Sequence, residues 1–272
     1  MQGHTNRFQK LMNHYHSGKT LFSYRDLVLN LVRRDITLRY IGSFAGLVWS
    51  LFNPLVIYIT YYFIFTMIIP NNIDNFPLYL VVGIVHWVFF SQVVSGSCQW
   101  LIANGPLLKK IWFPRMVVPV SGILTILGFW ISSLIVLFAL YIPLGGRVGP
   151  ALFAYPLLFA LFFMFAFGIG LALSVFNAQY RDVGHLVDVI LPLLFWFTPI
   201  IWSAEMVRHL PVWPLLVLNP VAPFINSFHA VLYLGEMPAP VDLVLVVIMA
   251  VAALALGLFM FRRMADDLVE RL

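Results

Sequence analysis

Residues 109–147 read KKIWFPRMVVPVSGILTILGFWISSLIVLFALYIPLGGR, and the placement of charge within them decides the fold. Lys109, Lys110 and Arg115 crowd the first turns, after which residues 116–146 carry no charge until Arg147. A helix rises about 1.5 Å per residue, so roughly 20 apolar residues cross the hydrocarbon core of a bilayer. The uncharged stretch is long enough for one crossing. A basic cluster beside it marks the end that stays in the cytoplasm.

Outward from this stretch the same alternation repeats. Of the 16 Lys and Arg residues, 14 fall in four islands: Arg7 to Arg39, Lys109 to Arg115, Arg181 alone, and Arg262 to Arg271. Arg147 and Arg208 are the exceptions. Charge-free runs cover 40–73, 75–108, 116–146, 148–180, 189–204, 209–235 and 243–261. With 62% hydrophobic residues, 10% charged residues and a mean hydropathy of +0.94, the chain is no soluble globular domain. It reads as an all-α polytopic membrane protein.

The first twenty residues are polar with no apolar core, which predicts no cleavable signal peptide and a cytoplasmic N-terminus. The single cysteine, Cys98, excludes an intramolecular disulfide and a thiolate-cluster metal site. The net charge of +5 follows from basic residues that flank apolar spans, so no nucleic-acid partner is needed to explain it.

Six spans are expected near 46–69, 77–97, 116–142, 151–176, 186–203 and 241–261. The uncharged segment 209–235 contains Pro211, Pro214, Pro220 and Pro223, which would strip hydrogen bonds from a lipid-exposed helix. A seventh span there would also carry Arg262, Arg263 and Arg271 outside, against the pattern of the other islands. Residues 204–238 are therefore expected to form an extracytoplasmic hairpin, re-entrant or interfacial, with the fifth span ending at Pro199 and bending into it. Both termini are then cytoplasmic: a tail at 1–22, a six-span domain at 41–262 and a second tail at 263–272.

Before the first span, Phe22 to Tyr40 reads FSYRDLVLNLVRRDITLRY. Tyr24, Leu27, Val28, Leu31, Val32 and Ile36 recur at helical spacing, while Arg25, Asp26, Asn30, Arg33, Arg34 and Thr37 take the other faces. This predicts an amphipathic interface helix over 23–40, with Ser23 and Asp26 as its capping box. Such a helix serves either as an anchor or, through Arg33, Arg34, Arg39 and Tyr40, as an entrance or docking surface.

Motifs of catalysis are missing. There is no GxxxxGK[ST] phosphate loop, no HExxH and no GxSxG elbow, so the chain is expected to be no enzyme and to take its energy from a partner. Asp188 stands near the start of a span, where an interfacial position and a proton relay both remain open. The seven histidines form no ligand set, and no metal site is expected; His86 and His185 fall singly in or beside apolar stretches, where a neighbouring helix can satisfy them.

Three loop elements are more specific: RYIGSFAGLVWSLFNP from Arg39 to Pro54, LLKKIWFPRMVVP from Leu107 to Pro119, and NAQYRDVGHLVDVILPLLFWFTPIIW from Asn177 to Trp202. Together they resemble the permease subunits of bacterial ABC type-2 exporters, in the branch that moves O-antigen, capsule or teichoic-acid polymers. Arg39, Tyr40, Gly42, Ser43, Gly46, Trp49 and Pro54 fill that family's first element. Lys109 or Lys110, Phe113, Pro114, Arg115 and Pro119 fill its second, and Arg181, Asp182 and His185 fill its third. The chain departs at INSFHAVLY, residues 225–233, which lacks the arginine the family places before the last span.

The resemblance implies a homodimer joined to two copies of an ABC ATPase, which would hold the ATP and Mg. This chain itself would bind no cofactor. It implies a lipid-linked polysaccharide as substrate and the cytoplasmic membrane as location. The segment 104–115 is the expected coupling element. Asn104-Gly105-Pro106 breaks the second helix, and Pro106, Leu107, Leu108, Ile111, Trp112 and Phe113 would meet the ATPase with Lys109, Lys110 and Arg115 at the rim and Arg181 and Asp182 nearby. A lipid-surface helix held by Trp112 and its lysines is the other reading of the same residues.

Tyr58, Tyr61, Tyr62 and Phe65 lie at i, i+3, i+4 and i+7 of the first span, so they face protein or water. With Trp49, Phe195 and Trp196 they are the candidate channel wall for a sugar chain; ordinary helix packing explains the four equally. Phe159, Phe162, Phe163, Phe165 and Phe167 are expected at lipid or core. Gly168 with Ala172 and Gly170 with Ser174 are expected at close helix contacts. The alternatives within the family are teichoic acid, or a small lipid or drug, whose path would be mainly aliphatic. From another class comes a membrane glycosyltransferase, for which Asp182 and Asp188 would have to act.

Overall fold

The computed structural model describes residues 23–41, 48–68, 73–111, 113–209, 211, 216 and 218–268. Among these the chain forms helices and turns, with no strand. The tail 1–22, the Gly42, Ser43 and Gly46 of the first loop element, and Trp112 lie outside the described residues.

Helix α1 (Arg25–Tyr40) leads into α2 (Val48–Phe63), which widens into a π-helical stretch over Ile64–Ile68. The long α3 (Phe76–Ala103) follows, then the short α4 (Gly105–Lys110), α5 (Val117–Tyr141) and α6 (Tyr155–Gln179), the last entered through a 3₁₀ turn at Pro150–Ala154. Next come α7 (Asp182–Trp196), the single turn α8 (Ala204–Val207), α9 (Ala222–Phe228) with its π-helical continuation His229–Leu234, and α10 (Pro240–Leu268). Among the described residues, four stretches are long and apolar enough to cross a membrane: Phe76–Lys110, Val117–Tyr141, Pro150–Gln179 and Pro240–Ala265. A fifth, Pro54–Ile68, is apolar but shorter.

The hub is α3. It packs against α2, α5, α6, α7 and α9, and it is apolar on all sides because nearly all of it is covered. Trp130 of α5 donates to the Val85 carbonyl of α3 at 2.8 Å and stacks flat on Phe159 of α6, 4.4 Å away. Phe162 and Phe165 are buried in the same core. Glycines bring helices closest: a Cβ on Gly168 would fall 2.3 Å from the Ala253 carbonyl carbon of α10, and one on Gly257 would fall 2.1 Å from the Gly168 carbonyl oxygen. Gly170 gives room instead to Trp100 of α3. Lipid supplies no hydrophobic drive between helices, so contact at this range holds α6 to α10.

The structure moves expected boundaries of three helices. The capping position of α1 is Tyr24 rather than Ser23 and carries no side-chain cap. Helix α3 continues to Ala103, six residues past the expected end at 97, because no charge, proline or glycine falls between 97 and Asn104. Helix α7 begins at Asp182 and ends at Trp196, where 186 and Pro199 were expected. Its start is satisfied by Asn177, whose Oδ1 accepts from the Gly184 amide at 2.7 Å, and by the acidic Asp182 in the first turn. At its other end Thr198 donates to the Leu194 carbonyl at 2.6 Å, and Asn219 Nδ2 donates to the Phe197 carbonyl at 3.0 Å and to Thr198 Oγ1 at 2.8 Å.

The segment 222–234 is inserted among α3, α6 and α10 rather than laid on a surface, with Phe224, Ile225, Phe228, Val231 and Leu232 buried. Gly235 ends it at φ +72°, a left-handed conformation that glycine adopts without Cβ strain.

Candidate functional site

Between α2, α3 and α7 lies a groove of about 360 Å³. Ile57 and Tyr61 of α2 form one side, Ile84, Trp87, Val88 and Ser91 of α3 the floor, and Leu191, Pro192, Phe195 and Trp196 of α7 the other side. Its wall mixes the rings of Tyr61, Trp87, Phe195 and Trp196 with aliphatic side chains. Phe195 meets Tyr61 at 5.3 Å, Trp87 at 5.6 Å and Trp196 at 5.7 Å between centroids. Pro192 has no amide hydrogen, so one intrahelical bond of α7 is missing beside the groove, which makes this the easiest place for α7 to bend.

Of the aromatic residues singled out in the sequence, Tyr58, Tyr61 and Tyr62 are half-buried and Phe65 is buried. Their rings run as a stack along α2, with Tyr58 on Tyr62 at 6.1 Å and Tyr61 on Phe65 at 6.3 Å. Phe65 closes the row against Phe76 of α3. The opposite stripe of α2, Trp49, Phe52, Val56, Ile59 and Phe63, is exposed. Only Tyr61, Phe195 and Trp196 of the candidate set line the groove. Trp87, which completes it, gave no signal in the sequence because α3 is apolar throughout.

The segment 104–115 divides by burial. Leu108 and Phe113 are buried, and Leu107 is half-buried; Pro106, Lys109, Lys110 and Ile111 are exposed. Leu108 and Phe113 therefore hold the turn down while a basic and apolar edge faces out. Arg115 donates to the Ala265 carbonyl near the end of α10, where a cation suits the negative end of the helix dipole. Arg181 and Asp182 are exposed at the start of α7, near the same end of the bundle as Cys98 and Asn104.

Helix α1 turns Val28 and Leu31 inward against α5, with Tyr24, Leu27, Val32 and Ile36 half-buried. The apolar face predicted from the sequence is covered by protein. Arg33 and Arg39 are exposed, with the Arg39 guanidinium 4.3 Å over the Phe129 ring, while the side chain of Tyr40 lies outside the described residues. Arg34 bridges Asp35 at 2.7 Å and donates to Asn104 Oδ1 at 2.8 Å, which ties α1 to the hinge before α4. Asn104 in turn donates to the Trp100 carbonyl at 2.9 Å.

Two histidines fill the core far from that end. His86 accepts or donates at Tyr155 Oη (3.1 Å) and bonds the Val82 carbonyl (2.7 Å); His229 bonds the Tyr79 carbonyl (3.0 Å) and stacks on the Tyr79 ring at 3.7 Å. His185 is exposed, as are Asp182 and Asp188. No group of three metal-binding side chains occurs among the described residues.

Apolar helices, a groove between three of them and an exposed basic turn at one end suit a transport permease. A family profile described as ABC-2 type transporter matches residues 26–233, and the chain belongs to that family. Among curated relatives, the O-antigen export system permease protein RfbA of Myxococcus xanthus is 30% identical over 221 residues, 81% of this chain and 85% of its own length. The O-antigen export system permease protein RfbA of Klebsiella pneumoniae is 30% identical over 213 residues, 78% of this chain and 82% of its own length.

Proposed function

We propose that the chain is the membrane subunit of an ATP-driven exporter that carries a lipid-linked polysaccharide, of O-antigen or capsule type, across the cytoplasmic membrane. The observation that carries this reading is the similarity, over about four fifths of the chain, to permeases named for O-antigen export. In this reading α2, α3, α5, α6, α7 and α10 are six spans, residues 204–238 fold back as an extracytoplasmic hairpin, and both termini are cytoplasmic. Two copies pair, and two ATPase subunits dock on the cytoplasmic side.

The exposed edge Pro106, Lys109, Lys110 and Ile111 meets the ATPase, with Arg181 and Asp182 beside it. Arg33 and Arg39 on α1 flank the entrance. The groove around Tyr61, Trp87, Phe195 and Trp196 offers ring faces to successive sugars; such contacts are individually weak, and conduction requires sites that release as readily as they bind. The missing phosphate loop fits an energy source in a separate subunit.

Deleting the chain from its host and staining the cell surface for glycan tests the reading. Polymer should accumulate on the cytoplasmic side and return to the surface on complementation. Undiminished surface polymer in the deletion strain would refute it.

A further inference from the structure

Asn177 is 2% exposed, at the end of α6, and both halves of its amide are engaged. Nδ2 donates to the Cys98 carbonyl of α3 at 2.6 Å, and Oδ1 accepts from the Gly184 amide in the first turn of α7 at 2.7 Å. The two partners belong to different moving parts of the proposed transporter. Cys98 stands on the last turns of α3, which lead directly through Asn104 into the exposed turn of α4. Gly184 stands at the base of α7, whose later residues Pro192 and Phe195 form one side of the groove.

We infer that Asn177 is the positioning residue that couples displacement of the 104–115 loop to the groove, by making the base of α7 follow the end of α3. This rests on the transport reading above. A single amide can do so because it is buried: if the helices part, the Asn177 side chain loses both partners in the core and the half-buried Gly184 amide loses its acceptor, so a joint shift of the three elements costs less than separation. Neither end has slack. The Nδ2 and Oδ1 contacts are short, and a Cβ on Gly184 would fall 3.1 Å from Asn177 Oδ1. Motion passed to α7 would then concentrate at Pro192, where the helix lacks a hydrogen bond.

The test uses the whole transporter with its ATPase in liposomes, measuring polymer exported per ATP hydrolysed. Asn177→Asp keeps the acceptor for Gly184 and lacks the donor for Cys98. Gly184→Ala favours the helix intrinsically, so the protein stays folded, while its methyl displaces Oδ1. Both variants should lower the export-to-ATP ratio by about fivefold or more, with hydrolysis within about twofold of the unaltered complex. A loss of folded protein would lower both quantities together and leave the ratio unchanged. An unaltered ratio in either variant, with hydrolysis within about twofold of the unaltered complex, overturns the inference, since Asn177 would then be only a cap for α7.

A second measurement needs no polymer. His185→Cys, at an exposed position and in a Cys98→Ala background, should change its maleimide accessibility when ATP is added, and the change should vanish in the Asn177→Asp and Gly184→Ala variants. If the unaltered transporter exports no polymer, the transport reading fails, and this measurement still decides the inference: a nucleotide response that survives both substitutions overturns it.

Discussion

The imidazole of His86 lies 3.7 Å from the ring of Phe228 and nearly parallel to it, at 18° between planes. This contact seats the segment 222–234 on the hub helix α3. The same imidazole reaches Tyr155 of α6 through Nε2, so one side chain joins three elements inside the core. Its other nitrogen bonds the Val82 carbonyl one turn earlier, which fixes Nδ1 as the donor and leaves Nε2 to accept from the tyrosine hydroxyl.

His86→Phe preserves the stack and leaves the Tyr155 hydroxyl buried without its partner, at a cost of about 1–3 kcal/mol. Tyr155→Phe orphans Nε2 at a similar cost. The double variant removes both polar groups and should be less destabilised than the sum by about 0.5–2 kcal/mol. Unfolding in mixed micelles measures all three. Additive losses would show that the two side chains do not interact.

Packing between α6 and α10 gives a sharper expectation. A side chain at Gly168 meets backbone atoms of Ala253 and Leu254, which cannot turn aside as a flexible side chain can. Gly168→Val and Gly257→Ala should each destabilise by about 2 kcal/mol or more. Gly149→Ala, where nothing lies within 4 Å, should be close to neutral. Thermal stability in detergent separates them, and a stable Gly168→Val protein would rule out this helix contact.

Charge placement made much of this fold legible in advance. Lys109 to Arg115 and the uncharged run after it gave α5 nearly to the residue, and the spacing of Leu27, Val28 and Leu31 gave the inward face of α1. Helix α7 was misplaced because Asp182, His185 and Asp188 dilute its apolar start, and its true start depends on Asn177, an amide that local pattern cannot connect to Gly184. The candidate site was legible in the same uneven way. The i, i+3, i+4, i+7 tyrosines showed which face of α2 turns inward. Trp87 stayed hidden because a helix covered on all sides has no apolar stripe to read. His229 stayed hidden too, because its stack on Tyr79 is a long-range contact.

The loop 104–115 offers a test by burial. Ile111 is 56% exposed and Leu108 only 9%, so Ile111→Ser should weaken capture of the ATPase by about tenfold without altering thermal stability. Leu108→Ala and Phe113→Ala should lower stability by about 2 kcal/mol or more through the cavities they leave. Lys109→Glu with Lys110→Glu should abolish the salt dependence of capture between about 0.1 and 1 M, where the Debye length falls from about 10 to 3 Å. Pull-down of the partner subunit at both salt concentrations reads this directly. If Ile111→Ser and Leu108→Ala behaved alike, the division of the loop into an anchored and a docking side would be wrong.

The groove is best tested where its two sides touch. Tyr61 of α2 and Phe195 of α7 stand 5.3 Å apart, so either ring supports the other and both border the cavity. Tyr61→Ala removes an aromatic face worth about 0.5–1.5 kcal/mol in pairing, or about threefold to tenfold in a rate that depends on it. Tyr61→Phe keeps the face and loses only the hydroxyl, which has no hydrogen-bond partner among the described residues, so export should stay within about twofold if stacking is what matters. Phe259→Ala, on the exposed side of α10, should leave export unchanged. Vesicle export of labelled polymer, normalised to folded protein, distinguishes the cases. Equal export from Tyr61→Ala and the unaltered protein would return these rings to a packing role alone, while a deficit in Tyr61→Phe as large as in Tyr61→Ala would assign the contact to the hydroxyl instead of the ring.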